Sequence, residues 1–252
     1  MTNMFDEGSG PTIVVIPGVQ GRWEWMRPAL RALSARYRVI SYSLGAARTI
    51  DDLGAQLERV LDRKEVSTTA VCGVSFGGLV AVKFAAERPE RTTALVIAST
   101  PSHTWTPSAI QARYLAHPWL YTPVFLATAP GRMWPEIAAA IPGTSARLRF
   151  CVAQAGRVLA APIVPAHMAA RMKLKPGPEL QADCARIVAP TLVITGEPGL
   201  DRVVPVSTTR EFARLIGGAR YEMMDRTGHI GLVTQPDRFA RIAGDFVNGS
   251  SS

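Results

Sequence analysis

The segment Gly73-Val74-Ser75-Phe76-Gly77-Gly78 sets one hydroxyl among glycines, between a β-prone apolar run, Thr69 to Gly73, and a helix-prone run, Gly77 to Arg88. Serine is a weak nucleophile unless its oxygen stands clear of the backbone and a base lies beside it. Small residues on both sides permit the sharp, strained strand-to-helix turn that does this, and such a turn aims the Ser75 oxygen at the start of the helix. There the Phe76 amide faces negative charge developing on a substrate, assisted by the helix dipole. A Gly-rich turn can instead cradle phosphate, but a phosphate loop carries a Lys-Ser/Thr pair after its last glycine, and Leu79-Val80 stand here.

The elements that must position this turn repeat in a strand-turn-helix order, the pattern of a parallel sheet covered on both faces. Strands are expected at Thr12–Pro17, Arg38–Ser43, Thr69–Gly73, Thr93–Ala98, Thr191–Thr195 and Tyr221–Met224. Helices are expected from Thr49, where Ile50, Leu53, Leu57, Val60 and Leu61 share a face and Asp52 stands at the third helical position, then at Gly77–Arg88 and Ser207–Ile216. A last helix buries Phe239, Ile242 and Phe246. The alternation breaks after Ser99. From 101 to 181 the chain is irregular, and Pro118, Pro123, Pro130, Pro135, Pro142, Pro162 and Pro165 are expected to divide it into short helices. The reading is one α/β core, residues 1–100 and 182–252, interrupted by a helical cap, 101–181.

With Ser75 in this setting the chain resembles the α/β-hydrolase superfamily, over nearly its whole length apart from the insertion. The resemblance implies a chain order of serine, acid, histidine. Gly196 to Pro205 follows a strand and matches the family's acid loop at Asp201, and Gly228-His229 follows the last strand and matches its histidine loop. In that arrangement His229 takes the Ser75 proton, and Asp201 fixes the imidazole tautomer and stabilises the imidazolium. Glu197 and Asp225 are the rival acids, the first close to the strand end and the second close to His229. His103, His117 and His167 are the rival histidines, all in or beside the insertion.

A second oxyanion donor is expected from the loop after the first strand. The family commonly has His-Gly-x there; this chain has Pro17-Gly18-Val19-Gln20-Gly21, so a bracing side chain is replaced while the Val19 amide stays available. Gln20 is a candidate side-chain donor. Trp23 and Trp25 are expected to pack the loop. About eleven residues precede the first strand where the family has an extra antiparallel hairpin, so the sheet is expected to hold about six strands. Haloalkane dehalogenases and soluble epoxide hydrolases resemble this core but place a carboxylate at the nucleophile position, which Ser75 disfavours.

Composition narrows the partners. The 252 residues, 47% hydrophobic and 19% charged, suit one large domain. The net charge of +8 is concentrated between Pro101 and Pro178, where Arg113, Arg132, Arg147, Arg149, Arg157, Arg171, Lys173 and Lys175 face a single acid, Glu136. No basic run and no nucleic-acid motif accompanies that charge, so no nucleic-acid partner is expected. No run is long enough to span a bilayer and the first ten residues lack a secretion signal, so a cytoplasmic protein is expected. Cys72, Cys151 and Cys184 are expected as buried thiols. No metal and no cofactor are expected, because neither ligand spacing nor a dinucleotide fingerprint occurs.

These features favour a carboxylic ester hydrolase acting through an acyl-enzyme on Ser75, with a small-molecule ester held beneath the cap. Trp105, Trp119 and Trp134, with Tyr114, Tyr121, Phe125 and Met133, are the candidate apolar cap surface. A carbon–carbon bond hydrolase, or an acyl or peroxide-forming transferase, can use the same triad. A catalytically silent ligand-binding relative is the alternative from another class.

Overall fold

The computed structural model describes residues 4–174 and 177–250; Lys175 and the side chain of Phe125 lie outside the described residues. Seven strands, β1 (Met4–Glu7), β2 (Thr12–Ile16), β3 (Arg38–Tyr42), β4 (Thr69–Val74), β5 (Thr92–Ala98), β6 (Thr191–Thr195) and β7 (Arg220–Met223), form one sheet in the order β1-β3-β2-β4-β5-β6-β7. The pairing of β1 with β3 is antiparallel and all the others are parallel. This is the α/β-hydrolase fold with a helical cap insertion. The sheet has one strand more than the six expected. Met4–Glu7 is short, but Phe5 is buried, and Asp6 pairs with Arg38 of β3 at 3.1 Å and Lys64 at 2.9 Å. Those contacts hold a four-residue edge strand that has no pattern long enough to read alone.

Successive side chains of a strand point to opposite faces, and the central strands are apolar on both. Val14, Ile16, Val71, Leu95, Ile97 and Val193 pack on one face beneath α2 (Ile50–Arg63), α3 (Phe76–Glu87), α8 (Glu179–Arg186) and α9 (Val206–Leu215). Ile13, Val15, Cys72, Val96 and Ile194 pack on the other beneath α1 (Arg27–Ser34), α10 (Gly231–Thr234) and α11 (Pro236–Gly249). Thr49 and Asp52 close the start of α2 reciprocally: the Asp52 amide donates to Thr49 Oγ1 at 3.1 Å, and the Thr49 amide to Asp52 Oδ2 at 3.0 Å. Of the thiols, Cys72 and Cys184 are buried and Cys151 is half-buried.

The cap comprises α4 (Ala109–Ala116), α5 (Pro118–Ala140), α6 (Thr144–Ala160) and α7 (Pro165–Lys173). The prolines do not cut it as expected, since Pro123, Pro130 and Pro135 all lie inside the 23-residue α5. Proline removes one donor and crowds the carbonyl four residues back, yet its fixed φ is a helical one. With intact turns between the prolines, the helix continues. Trp23 is buried against Phe5 with ring centroids 5.7 Å apart, and Trp25 joins the cap, its Nε1 donating to the Ala161 carbonyl at 3.0 Å. No helix among the described residues is long and apolar enough to cross a membrane.

Candidate active site

One residue separates β4 from α3, and it is Ser75, with φ 53° and ψ −126°. That left-handed backbone is costly for a side chain with a Cβ, and the surroundings enforce it. The Ser75 amide donates to the Ala98 carbonyl at 2.7 Å, and the Gly78 amide to the Ser75 carbonyl at 2.9 Å. A side chain at Gly73 would overlap the Gly77–Gly78 backbone, and one at Gly77 would overlap the carbonyls of Ile16 and Pro17. Strand, helix and the loop after β2 therefore meet backbone to backbone around the serine. Phe76 is the first residue of α3, so its amide has no acceptor earlier in the helix.

Two further loops reach the same end of the sheet. His229 Nε2 lies 3.2 Å from Ser75 Oγ, and His229 Nδ1 lies 3.2 Å from Asp201 Oδ2. The other Asp201 oxygen accepts from the amides of Val203 at 3.0 Å and Val204 at 2.9 Å, which locks the carboxylate orientation. The Asp201 side chain is 1% exposed and that of His229 13%, so the acid is sealed while the imidazole borders solvent. Gly228 permits the approach: a Cβ there would stand 2.6 Å from the Leu200 carbonyl carbon and 2.9 Å from the Asp201 nitrogen. Burial works against a charged His229, but Asp201, with Glu136 adding to it, overcomes that and holds the imidazole above its ordinary pKa.

The rival groups are engaged elsewhere. Glu197 Oε1 accepts from the Arg226 amide at 2.6 Å, and its backbone carbonyl accepts from Asp201 at 3.1 Å, so it braces the acid loop. Asp225 pairs with Arg238 at 3.0 Å. His103 Nε2 stands 2.9 Å from Gln181 Nε2, and His117 is exposed beside Tyr121.

The loop after β2 turns over the nucleophile. The Gly21 amide donates to the Gly18 carbonyl at 2.8 Å, and a Cβ on Gly18 would lie 3.2 Å from Ser75 Cβ and 2.7 Å from Gln20 Oε1. The Gln20 carboxamide thus folds back against Gly18. Beneath this turn sits Arg171, a cap residue 2% exposed. Its Nε donates to the Val19 carbonyl at 2.8 Å and its Nη2 to Gln20 at 3.2 Å, while Nη1 reaches Leu44 at 3.3 Å and Gly45 at 3.1 Å. Burial pushes its pKa down to about 10, so it remains a cation at neutral pH.

Arg171 and Glu136 were not singled out from the chain. Both partnerships join residues more than 90 positions apart, and the only local signal was that Glu136 is the lone acid of a basic segment. Of the apolar cap candidates, Tyr114 is buried in a cluster against which Tyr121 and Val19 of the loop after β2 also pack, whereas the tryptophans are not gathered there. Trp119 and Trp134 are 71% and 51% exposed, turned to solvent, and Trp105 is half-buried. A cavity of about 10 Å³ lined by Val74, Ile194, Met224, Leu232 and Phe239 adjoins His229, with space for no more than a water.

The arrangement can abstract the Ser75 proton, receive the resulting charge on an imidazolium, and offer backbone amides to an oxyanion. Comparison with known proteins agrees on the scaffold. The family model described as "Alpha/beta hydrolase family" matches residues 13–242. The pimeloyl-[acyl-carrier protein] methyl ester esterase of Nitrosomonas europaea is 27% identical, with 92% of this chain and 94% of that protein aligned. The 2-hydroxymuconate semialdehyde hydrolase of Pseudomonas sp. strain CF600 is 28% identical over 98% and 90%. Among solved structures, an enol-lactonase from Burkholderia xenovorans LB400 superposes with a TM-score of 0.78 at 22% identity, covering 98% and 96% of the two chains.

Proposed function

The chain belongs to the α/β-hydrolase family, and from that premise we propose that it hydrolyses carboxylic ester bonds through an acyl-enzyme on Ser75. The observation that carries this reading is the continuous Ser75–His229–Asp201 contact, 3.2 Å at each step, at a strained strand-to-helix turn. Ser75 Oγ attacks the ester carbonyl carbon while His229 Nε2 takes its proton. The carbonyl oxygen becomes an oxyanion, received by the amides of Val19 and Phe76. Collapse expels the alkoxide, which leaves as the alcohol with the proton from His229. Water, deprotonated by the same nitrogen, then attacks the acyl-serine and releases the acid and the free hydroxyl.

Asp201 keeps the His229 proton on Nδ1, so that Nε2 is free to accept; its own two amide bonds stop it from rotating away. A fluorophosphonate should label Ser75 in the wild-type protein and not in Ser75→Ala, and aryl esters of increasing acyl length should be turned over only by the former. Equal ester turnover by the two proteins would sink this reading.

Carbon–carbon bond hydrolysis is the second reading, supported by the 28% identity to a 2-hydroxymuconate semialdehyde hydrolase. It requires the leaving carbon to be protonated where an ester needs only an oxygen to be. A vinylogous 1,5-diketone consumed faster than any ester of the panel would favour it.

A further inference from the structure

The one acid among the cap helices α4–α7 does not face water, where an ionised carboxylate is best solvated. Glu136 is 1% exposed, near the end of α5, and its carboxylate is turned toward the loop that carries His229. Oε2 accepts from the Ile230 amide at 3.0 Å and Oε1 from the Thr234 hydroxyl at 3.3 Å. From the same loop Arg226 Nε donates to the Ala139 carbonyl at 2.7 Å, one turn further along α5. The helix end therefore grips the loop on both sides of His229, through Arg226 before it and Ile230 after it.

The charged groups acting on His229 are Asp201, from the loop after β6, and Glu136, from α5. Glu136 in turn senses His229 and Asp201; the other charged residues of this loop are Arg226, whose amide donates to Glu197, and Asp225, which pairs with Arg238. Asp201 already satisfies Nδ1 and Ser75 faces Nε2, so Glu136 has no bond to the ring. Its influence runs through the loop backbone and through space.

We propose that Glu136 is a positioning residue: a second carboxylate, supplied by the cap, that fixes the His229 loop through Ile230 and Thr234 and, with Asp201, stabilises the imidazolium formed when Ser75 loses its proton. This rests on the reading of His229 as the base. Burial disfavours the ionised form of Glu136 and pushes its pKa up, while the backbone amides of Ile230 and Gly228 and the charge of His229 pull the other way. A base must be neutral to accept a proton, so activity declines as pH falls through the pKa of His229. Removing a nearby negative charge lowers that pKa and extends activity to lower pH.

Glu136→Gln separates charge from shape, because the amide oxygen still accepts from Ile230. The imidazole of His229 is titrated by NMR in full-length wild type, Glu136→Gln and Thr234→Val, with its resonance assigned by its loss in His229→Gln. The expected result is a lower His229 pKa in Glu136→Gln, none in Thr234→Val, and a matching shift of the acid limb of kcat/KM. Glu136→Ala should lower kcat on the order of a hundredfold with KM little changed, as for a catalytic group displaced by about an ångström. An unchanged His229 pKa in Glu136→Gln overturns the proposal. Should that variant not fold, Glu136→Asp keeps the charge and shortens the reach: kcat should fall with the pKa held, and an unchanged kcat overturns the proposal equally. A lowered His229 pKa in Glu136→Gln, together with a wild type that the fluorophosphonate labels at Ser75 but that turns over no aryl ester, would support the role of Glu136 and sink the ester reading alone.

Discussion

Replacing the nucleophile by glycine should make the protein more stable than replacing it by alanine. Ser75 holds φ 53° and ψ −126°, a conformation that costs a residue with a Cβ about 1–3 kcal/mol and glycine almost nothing. Glycine loses more chain entropy on folding, about 0.5–1 kcal/mol relative to alanine. Ser75→Ala and Ser75→Gly both remove the hydroxyl and its contact with His229, so their difference isolates the backbone. Subtraction leaves Ser75→Gly ahead by up to about 2.5 kcal/mol, which for a chain of this size is a rise of a few degrees in Tm, about 2–4 °C per kcal/mol. Urea unfolding read by tryptophan fluorescence, with calorimetry alongside, measures it. A glycine variant less stable by the full chain-entropy cost, about 0.5–1 kcal/mol, would show that the turn stores no strain at Ser75.

Three further outcomes follow from the site. Asp201→Asn should reduce kcat by about 10⁴, since an amide favours the wrong imidazole tautomer; Glu197→Gln should leave it within a few-fold, and steady-state kinetics with an aryl ester would reveal a reversed ranking. Arg171→Met should lower kcat by about ten- to a hundredfold with little change in KM, because the carbonyls of Val19 and Gln20 lose their shared donor and the oxyanion turn drifts. Arg171→Lys should recover only part of this, one ammonium being unable to span four carbonyls; full activity in the methionine variant would remove Arg171 from the machinery. Esters bearing a carboxylate should be favoured over neutral ones of equal size if the exposed Arg113 and Arg149 draw them in. That advantage should shrink with added salt, the Debye length being about 8 Å at physiological ionic strength, and should be absent when both are changed to glutamine; a constant ratio would leave this charge as plain surface.

The core was legible because its strands are buried on two faces. Thr12–Ile16 and Thr191–Thr195 are apolar runs that no exposed element would carry, and Gly73 and Gly77 mark where backbones must touch. The cap was less legible for a physical reason: its helices are held by few long-range contacts rather than by a periodic core. No residue of α6 is fully buried, and the prolines of α5 argue locally for breaks that the surrounding turns override. Trp119 and Trp134 have the composition of a pocket wall but lie on the outer surface, since residue type alone does not fix which face of a helix meets the core. The short α1 went unread with Pro28 at its start, although Ala29, Leu30 and Leu33 form its buried stripe. Arg147, part of the apparent charge field, spends its guanidinium on the end of α5, donating to Ile141 at 2.8 Å and Ala138 at 2.9 Å.

The two kinds of contact that build this site divide the work between core and cap. Ser75, Asp201 and His229 come from the loops after β4, β6 and β7, all at the carboxyl ends of parallel strands, where loops of an open sheet converge. Their separations are set by backbone against backbone, at Gly77 on the loop after β2 and at Gly228 on the acid loop, contacts with no rotamer to change. The cap adds two ionisable side chains instead, Arg171 on the turn that offers the Val19 amide and Glu136 on the loop that offers His229. A buried charge is stable only while its partners stay in place, so each holds a loop only with the cap seated. On the proposed mechanism, the core brings serine, histidine and acid together, while the cap bears on where the oxyanion is received and how well the imidazolium is stabilised.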